Sequence, residues 1–102
     1  MTDDDPHKGK DIVDLEAEVK NGNPPRKAEG YRIRIDKTFE TVFVDKMTGR
    51  EILGLVGKTP ESHILSEKVK GKIVPVGPDQ EVDFSSRGVE RFQTLAKDPG
   101  EG

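Results

Sequence analysis

Few side chains in this sequence are equipped for chemistry. No cysteine occurs, which removes disulfides, thiolate metal sites and thioester formation on the chain's own side chains. His7 and His63 are the two histidines. They are far apart and have no second histidine or cysteine at ligand spacing, so neither points to a metal centre. There is no Gly-x-Ser-x-Gly, no phosphate-binding glycine loop and no carboxylate pair placed for a cleft. The expectation is a protein that is not an enzyme and that holds no metal or cofactor of its own. Arg32, Arg34, Arg50, Arg87 and Arg91 fit either a partner-binding surface or a solvated face, and the zero net charge of residues 31–102 favours the solvated face. What remains is the C-terminal run Ala96-Lys97-Asp98-Pro99-Gly100-Glu101-Gly102. Pro99 with Gly100 and Gly102 makes such a tail extended. Glycine also adds no side chain where a backbone must enter a narrow site.

A tail needs a body to present it, and the helix that begins at Thr48 is the most fully specified part of that body. Thr48 and Glu51 have the spacing of a capping box, and Met47 with Ile52 that of a hydrophobic staple. Ile52, Leu53, Leu55 and Val56 form one apolar stripe, Gly57 supplies a left-handed stop and Pro60 prevents a restart. About two and a half turns of helix cannot stand alone in water, so a sheet must lie under it. Gly54, inside the helix, suggests the close approach of a neighbouring strand.

Strand signals flank this helix. Tyr31-Arg32-Ile33-Arg34-Ile35 alternates strictly, Asp36-Lys37 is a turn, and Phe39 to Val44 is rich in aromatic and β-branched residues. After the helix come His63 to Val69, a turn at Lys70-Gly71, and Ile73 to Val76, an edge strand because Pro75 donates no hydrogen bond. Glu81 to Phe84 and Val89 to Leu95 follow, separated by Ser85-Ser86-Arg87-Gly88. The order predicts an α+β fold of the β-grasp kind: a mixed four- to five-stranded sheet with one helix across one face. The first and last strands then lie parallel at its centre. The expected core is Ile33, Ile35, Phe39, Ile52, Leu53, Val56, Leu65, Val69, Val82, Phe84 and Phe92.

Charge divides the chain. Residues 1–30 carry eight acids and five bases, and residues 31–102 carry twelve of each, so the net charge of −3 belongs to the N-terminal part. A body without basic excess gives no support for nucleic-acid binding. No long apolar run or leader pattern occurs, so no membrane association and a cytoplasmic location are expected. Residues 1–30 read as a flexible acidic arm, 31–95 as the domain and 96–102 as a flexible tail ending in glycine. Within the arm, Asp11 to Lys20 carries a pattern. As a helix it shows Ile12, Leu15 and Val19 on one face; as a strand it shows Ile12, Val13 and Leu15 beside acids. A strand of this kind adds to a free sheet edge. The edge expected to receive it is Phe39 to Val44, with Phe39, Val42 and Val44 as contacts.

The segments Tyr31-Arg32-Ile33-Arg34-Ile35-Asp36, Thr48-Gly49-Arg50-Glu51-Ile52-Leu53 and Gly88-Val89-Glu90-Arg91-Phe92 together resemble the bacterial ubiquitin-like, multiubiquitin-type domain, from about Tyr31 to Leu95. The strand form of the arm in turn resembles motifs that bind small ubiquitin-like modifiers. The first resemblance implies a ubiquitin-like fold and partners similar to a ubiquitin-activating enzyme, a conjugating enzyme and a deubiquitinase-like peptidase. It implies that the activating enzyme, using ATP, acts on the carboxylate of Gly102 on a tail kept slender by Gly100. Glu101 separates these glycines, where ubiquitin-like modifiers have a pair. A protein modifier joined to target proteins is therefore the first expectation. The second is a non-covalent module that forms homo-oligomers through its arm, and the third is a sulfur carrier.

Overall fold

The computed structural model describes residues 10–97. The strict alternation produces β2 (Gly30–Ile35), whose Tyr31, Ile33 and Ile35 are fully buried. Two elements precede it in the chain: strand β1 (Ile12–Asp14) and helix α1 (Leu15–Lys20). After β2 come β3 (Thr38–Val42), β4 (Lys46–Thr48), helix α2 (Gly49–Leu55), β5 (His63–Val69), β6 (Lys72–Val76), β7 (Glu81–Asp83) and β8 (Val89–Ala96).

The α+β class and mixed sheet stand as expected, with two helices rather than one among the described residues and more strands. Strand β3 pairs antiparallel with β2 from Tyr31↔Val42 to Ile35↔Thr38, so it covers one whole edge. The other edge is shared. Strand β1 pairs with it in parallel at Gly30, Tyr31 and Arg32, and β8 pairs with it in parallel at Ile35↔Phe92. Beyond β8 lie β5 and β6, both in antiparallel pairing. Pro75 sits in β6 at the end of the sheet, where its missing donor costs nothing. Strands β4 and β7 form a separate two-stranded ladder.

Helix α2 has the ends its residues specify. The Thr48 hydroxyl accepts from the Glu51 amide (3.2 Å) and the Glu51 carboxylate accepts from the Thr48 amide (2.9 Å). Lys58 N–H reaches Leu53 O at 3.0 Å and Gly57 N–H reaches Gly54 O at 3.2 Å, a Schellman stop. Gly54 is not held by a close neighbour: nothing lies within 4 Å of where its Cβ would be. The crowded glycine is Gly49, whose Cβ would strike the Gly77 carbonyl.

Phe92 and Phe84 pack edge-on (6.3 Å between centroids), and Tyr31 lies 5.7 Å from Phe84. Ile52 and Leu53 of α2 close over this core. Two expected members, Val56 and Val69, are only partly buried. Phe39 is not in the core at all. It is 42% exposed, and the Arg32 guanidinium stacks on its ring at 3.9 Å.

Two corrections concern the ends of strands and the arm. The second strand was expected to reach Val44 but stops at Val42. The chain turns at Asp45, whose carbonyl accepts from Phe84 N–H (2.8 Å) and whose carboxylate accepts from the Tyr31 hydroxyl (2.9 Å). Nor is the arm free throughout. Val13 and Leu15 are buried at 3% and 5% exposure as members of the core, because the gap beside β2 is lined by apolar surface that they cover.

Candidate functional site

Two features bear on function: the place from which the tail departs, and the seat of the arm. Strand β8 runs antiparallel to β5 as far as His63↔Ala96, and Lys97 N–H then donates to Ser62 O at 2.9 Å. Asp36, in the turn between β2 and β3, holds the same end of β8. It has a left-handed backbone (φ 55), which a short polar residue tolerates. Its carboxylate accepts from the Thr94 amide (2.9 Å), the Thr94 hydroxyl (2.6 Å) and Lys58 Nζ (3.4 Å). Burial opposes the charge on Asp36, but the Thr94 bonds and the Lys58 ammonium outweigh it and hold the carboxyl below its ordinary value.

Beside this root is a cleft of about 220 Å³ walled by Leu53, Pro60, His63, Ile64, Pro78 and Lys97, among others. Ile64 and Leu95 are cross-strand partners and are 43% and 67% exposed. The last described residues of the domain are thus flanked by exposed apolar side chains. Gly100 and Gly102, expected to be the residues of activation, lie outside the described residues.

The arm is seated by three kinds of contact. Strand β1 supplies the main-chain ladder to Gly30, Tyr31 and Arg32. Val13 and Leu15 supply apolar anchors, with Ile12 half-buried. Asp14 pairs with Arg32 and Glu16 with Arg34, each at 2.9 Å. Asp14 also caps α1 by accepting from the Ala17 amide (3.2 Å). Arg32 and Arg34 are therefore paired with the arm rather than merely solvated.

The expected docking of Ile12, Val13 and Leu15 on Phe39, Val42 and Val44 is corrected: these arm residues lie along the opposite edge of β2. Val42 is buried on β3, whereas Val44 is 50% exposed beyond the end of that strand. Thr48 and Glu51 cap α2, and Ile52 and Phe92 are in the core, so these four serve the fold. Sequence reasoning missed Asp36 and the arm's true seat. A usable signal was present, since acids at 14 and 16 match arginines at 32 and 34 in spacing, as a parallel register requires.

Among the described residues no cluster of three potential metal ligands occurs, and no helix is long and apolar enough to cross a membrane. The Multiubiquitin family matches residues 31–97. That match covers more than half of the chain and coincides with β2 through β8. The chain belongs to the Multiubiquitin family. No curated protein and no solved structure matches it. The Multiubiquitin domain thus begins at Tyr31 and ends just past β8, leaving β1 and α1 outside the matched region.

Proposed function

We propose that this Multiubiquitin-family chain is a protein modifier activated at the glycine carboxylate of Gly102. The observation that carries the reading is a ubiquitin-like domain over residues 31–97 with Asp98-Pro99-Gly100-Glu101-Gly102 next in the sequence. The chemistry begins with attack of the carboxylate oxygen on the α-phosphate of ATP, with loss of pyrophosphate, inside a cognate activating enzyme. A thiol of that enzyme displaces AMP, a conjugating enzyme takes over the thioester, and an amine of the target forms the amide bond. A deubiquitinase-like peptidase reverses the last step in the cytoplasm. This chain supplies no catalytic group. Its contribution is a slender acyl donor and a surface for the enzyme, for which Ile64, Leu95 and the neighbouring cleft are the candidates. Incubation with the cognate activating enzyme and ATP is expected to give an adenylate or a thioester through Gly102, seen by intact mass. Equal adduct formation after removal of Glu101 and Gly102 would overturn the reading.

A further inference from the structure

The segment from Asp11 to Lys20 is the part of the molecule that this reading leaves unused. It lies outside the matched domain, which begins at Tyr31, yet it occupies a position inside that domain's sheet. The opening exists because β8 meets β2 only at Ile35↔Phe92, which leaves the Gly30–Arg32 half of that edge to β1. The occupant is held as a bound peptide is held: a main-chain ladder, apolar anchors at alternate positions, and charge pairs between them. Val13 and Leu15 are the anchors, and Asp14–Arg32 and Glu16–Arg34 are the pairs. Gly30 keeps the approach open, since a Cβ there would come within 2.7 Å of Ile12 Cδ1 and 2.8 Å of the Phe43 ring. The connection from Asn21 to Glu29 is exposed at every residue except Ala28.

We propose that this notch along β2 is a peptide-binding site whose resident ligand is the chain's own residues 11–20. The ligand class it fits is a short parallel strand that runs on into a helix, with one apolar anchor in the strand, one at the helix start and an acid after each. Arg32 and Arg34 select the acids, and the hydrophobic core that Val13 and Leu15 join selects the apolar residues. The tether gives the resident segment an effective concentration on the order of millimolar, so in the intact chain it excludes dilute competitors. Severing or stretching the connection opens the site to the same pattern supplied by another molecule.

The test keeps the full chain. A protease recognition sequence is inserted between Asn23 and Pro24, the protein is folded, and the connection is then cut. The freed N-terminal piece is expected to co-elute with the domain and to exchange with a fluorescent peptide of residues 1–22, seen as a saturable rise in anisotropy. The uncut protein should take up little of the same peptide. A peptide carrying Val13→Asp and Leu15→Asp should bind roughly tenfold more weakly or worse, and added salt should speed exchange of the native peptide. Release of the cut piece without rebinding overturns the proposal. Loss of the domain's near-ultraviolet and amide-exchange signatures once the piece is diluted away also overturns it, because the segment would then be an indispensable part of the fold. An Arg34→Glu variant separates the charge contribution: retained folding with faster exchange supports the site, and unchanged exchange contradicts the role given to that arginine.

Discussion

Asp36 joins three pieces of chain through one carboxylate: its own turn, Thr94 of β8 and Lys58 after α2. Its folded pKa is lowered, so its contribution to stability is present above the unfolded value and is lost as pH falls through the folded one. Asp36→Asn keeps the left-handed backbone accessible but removes the charge. Urea unfolding should show the variant less stable than wild type at about pH 7, with the difference shrinking towards about pH 3. A gap that stays constant with pH would remove the carboxylate from the account. Glu67 is less completely satisfied by hydrogen bonds. It is fully buried on β5, opposite Phe92, and one of its oxygens accepts from Arg87 Nε (2.9 Å) and Nη2 (2.7 Å). The other oxygen has no hydrogen-bond partner among the described residues. Removing one member of such a pair strands a charge. Arg87→Ala should therefore cost roughly 3 kcal/mol, while Glu67→Met, which removes the buried charge itself, should be near neutral or stabilising. Chemical denaturation of both variants decides between a pair that stabilises and one that is merely tolerated.

The two helices are short, and each is defined by its ends. Both stop on a glycine with positive φ, Gly22 (φ 76) and Gly57 (φ 73). In both, the residue after that glycine bonds back to the last turn: Asn23 to Glu18 and Lys58 to Leu53. Interior glycine is another matter. Gly54 is exposed and has open space where a Cβ would stand, so Gly54→Ala should stabilise α2 by about 0.5–1 kcal/mol, measured as a raised midpoint of thermal unfolding. Gly49, in the same helix, faces the carbonyl of Gly77 beyond β6 and offers no such gain. One element therefore contains a glycine required by packing and a glycine that packing does not require.

At the scale of the molecule, the sheet is built around β2, which has a hairpin partner on one edge and two partners sharing the other. That sharing makes the N-terminal segment part of the core while keeping it outside the Multiubiquitin domain proper. It also separates two surfaces. The root of the tail, with Ile64 and Leu95, sits where β5 and β8 meet, whereas β1 fills the opposite half of the edge of β2 from the β2–β8 contact. A partner reading the tail and a peptide entering the notch would use different strands of the same sheet.

Local instructions alone determined α2, its capping box and its stop, because every group involved lies within a few residues of Thr48 or Gly57. The alternation in β2, the edge placement of β6 through Pro75 and the β-grasp order were legible for the same reason: periodicity and turn chemistry are properties of short segments. The seat of the arm was decided only by tertiary structure. Ile12, Val13 and Leu15 carry an apolar pattern that fits a strand or a helix face, and the pattern does not specify which edge will receive it. The choice was made by β8, which meets β2 only at Ile35↔Phe92 and leaves beside Gly30–Arg32 a gap that apolar side chains must fill. Phe39 was misassigned to the core for a related reason. Strand periodicity states that its side chain lies on one face or the other, but the register of β3 on β2, set through pairs such as Arg34↔Phe39, put it outside with the arginines.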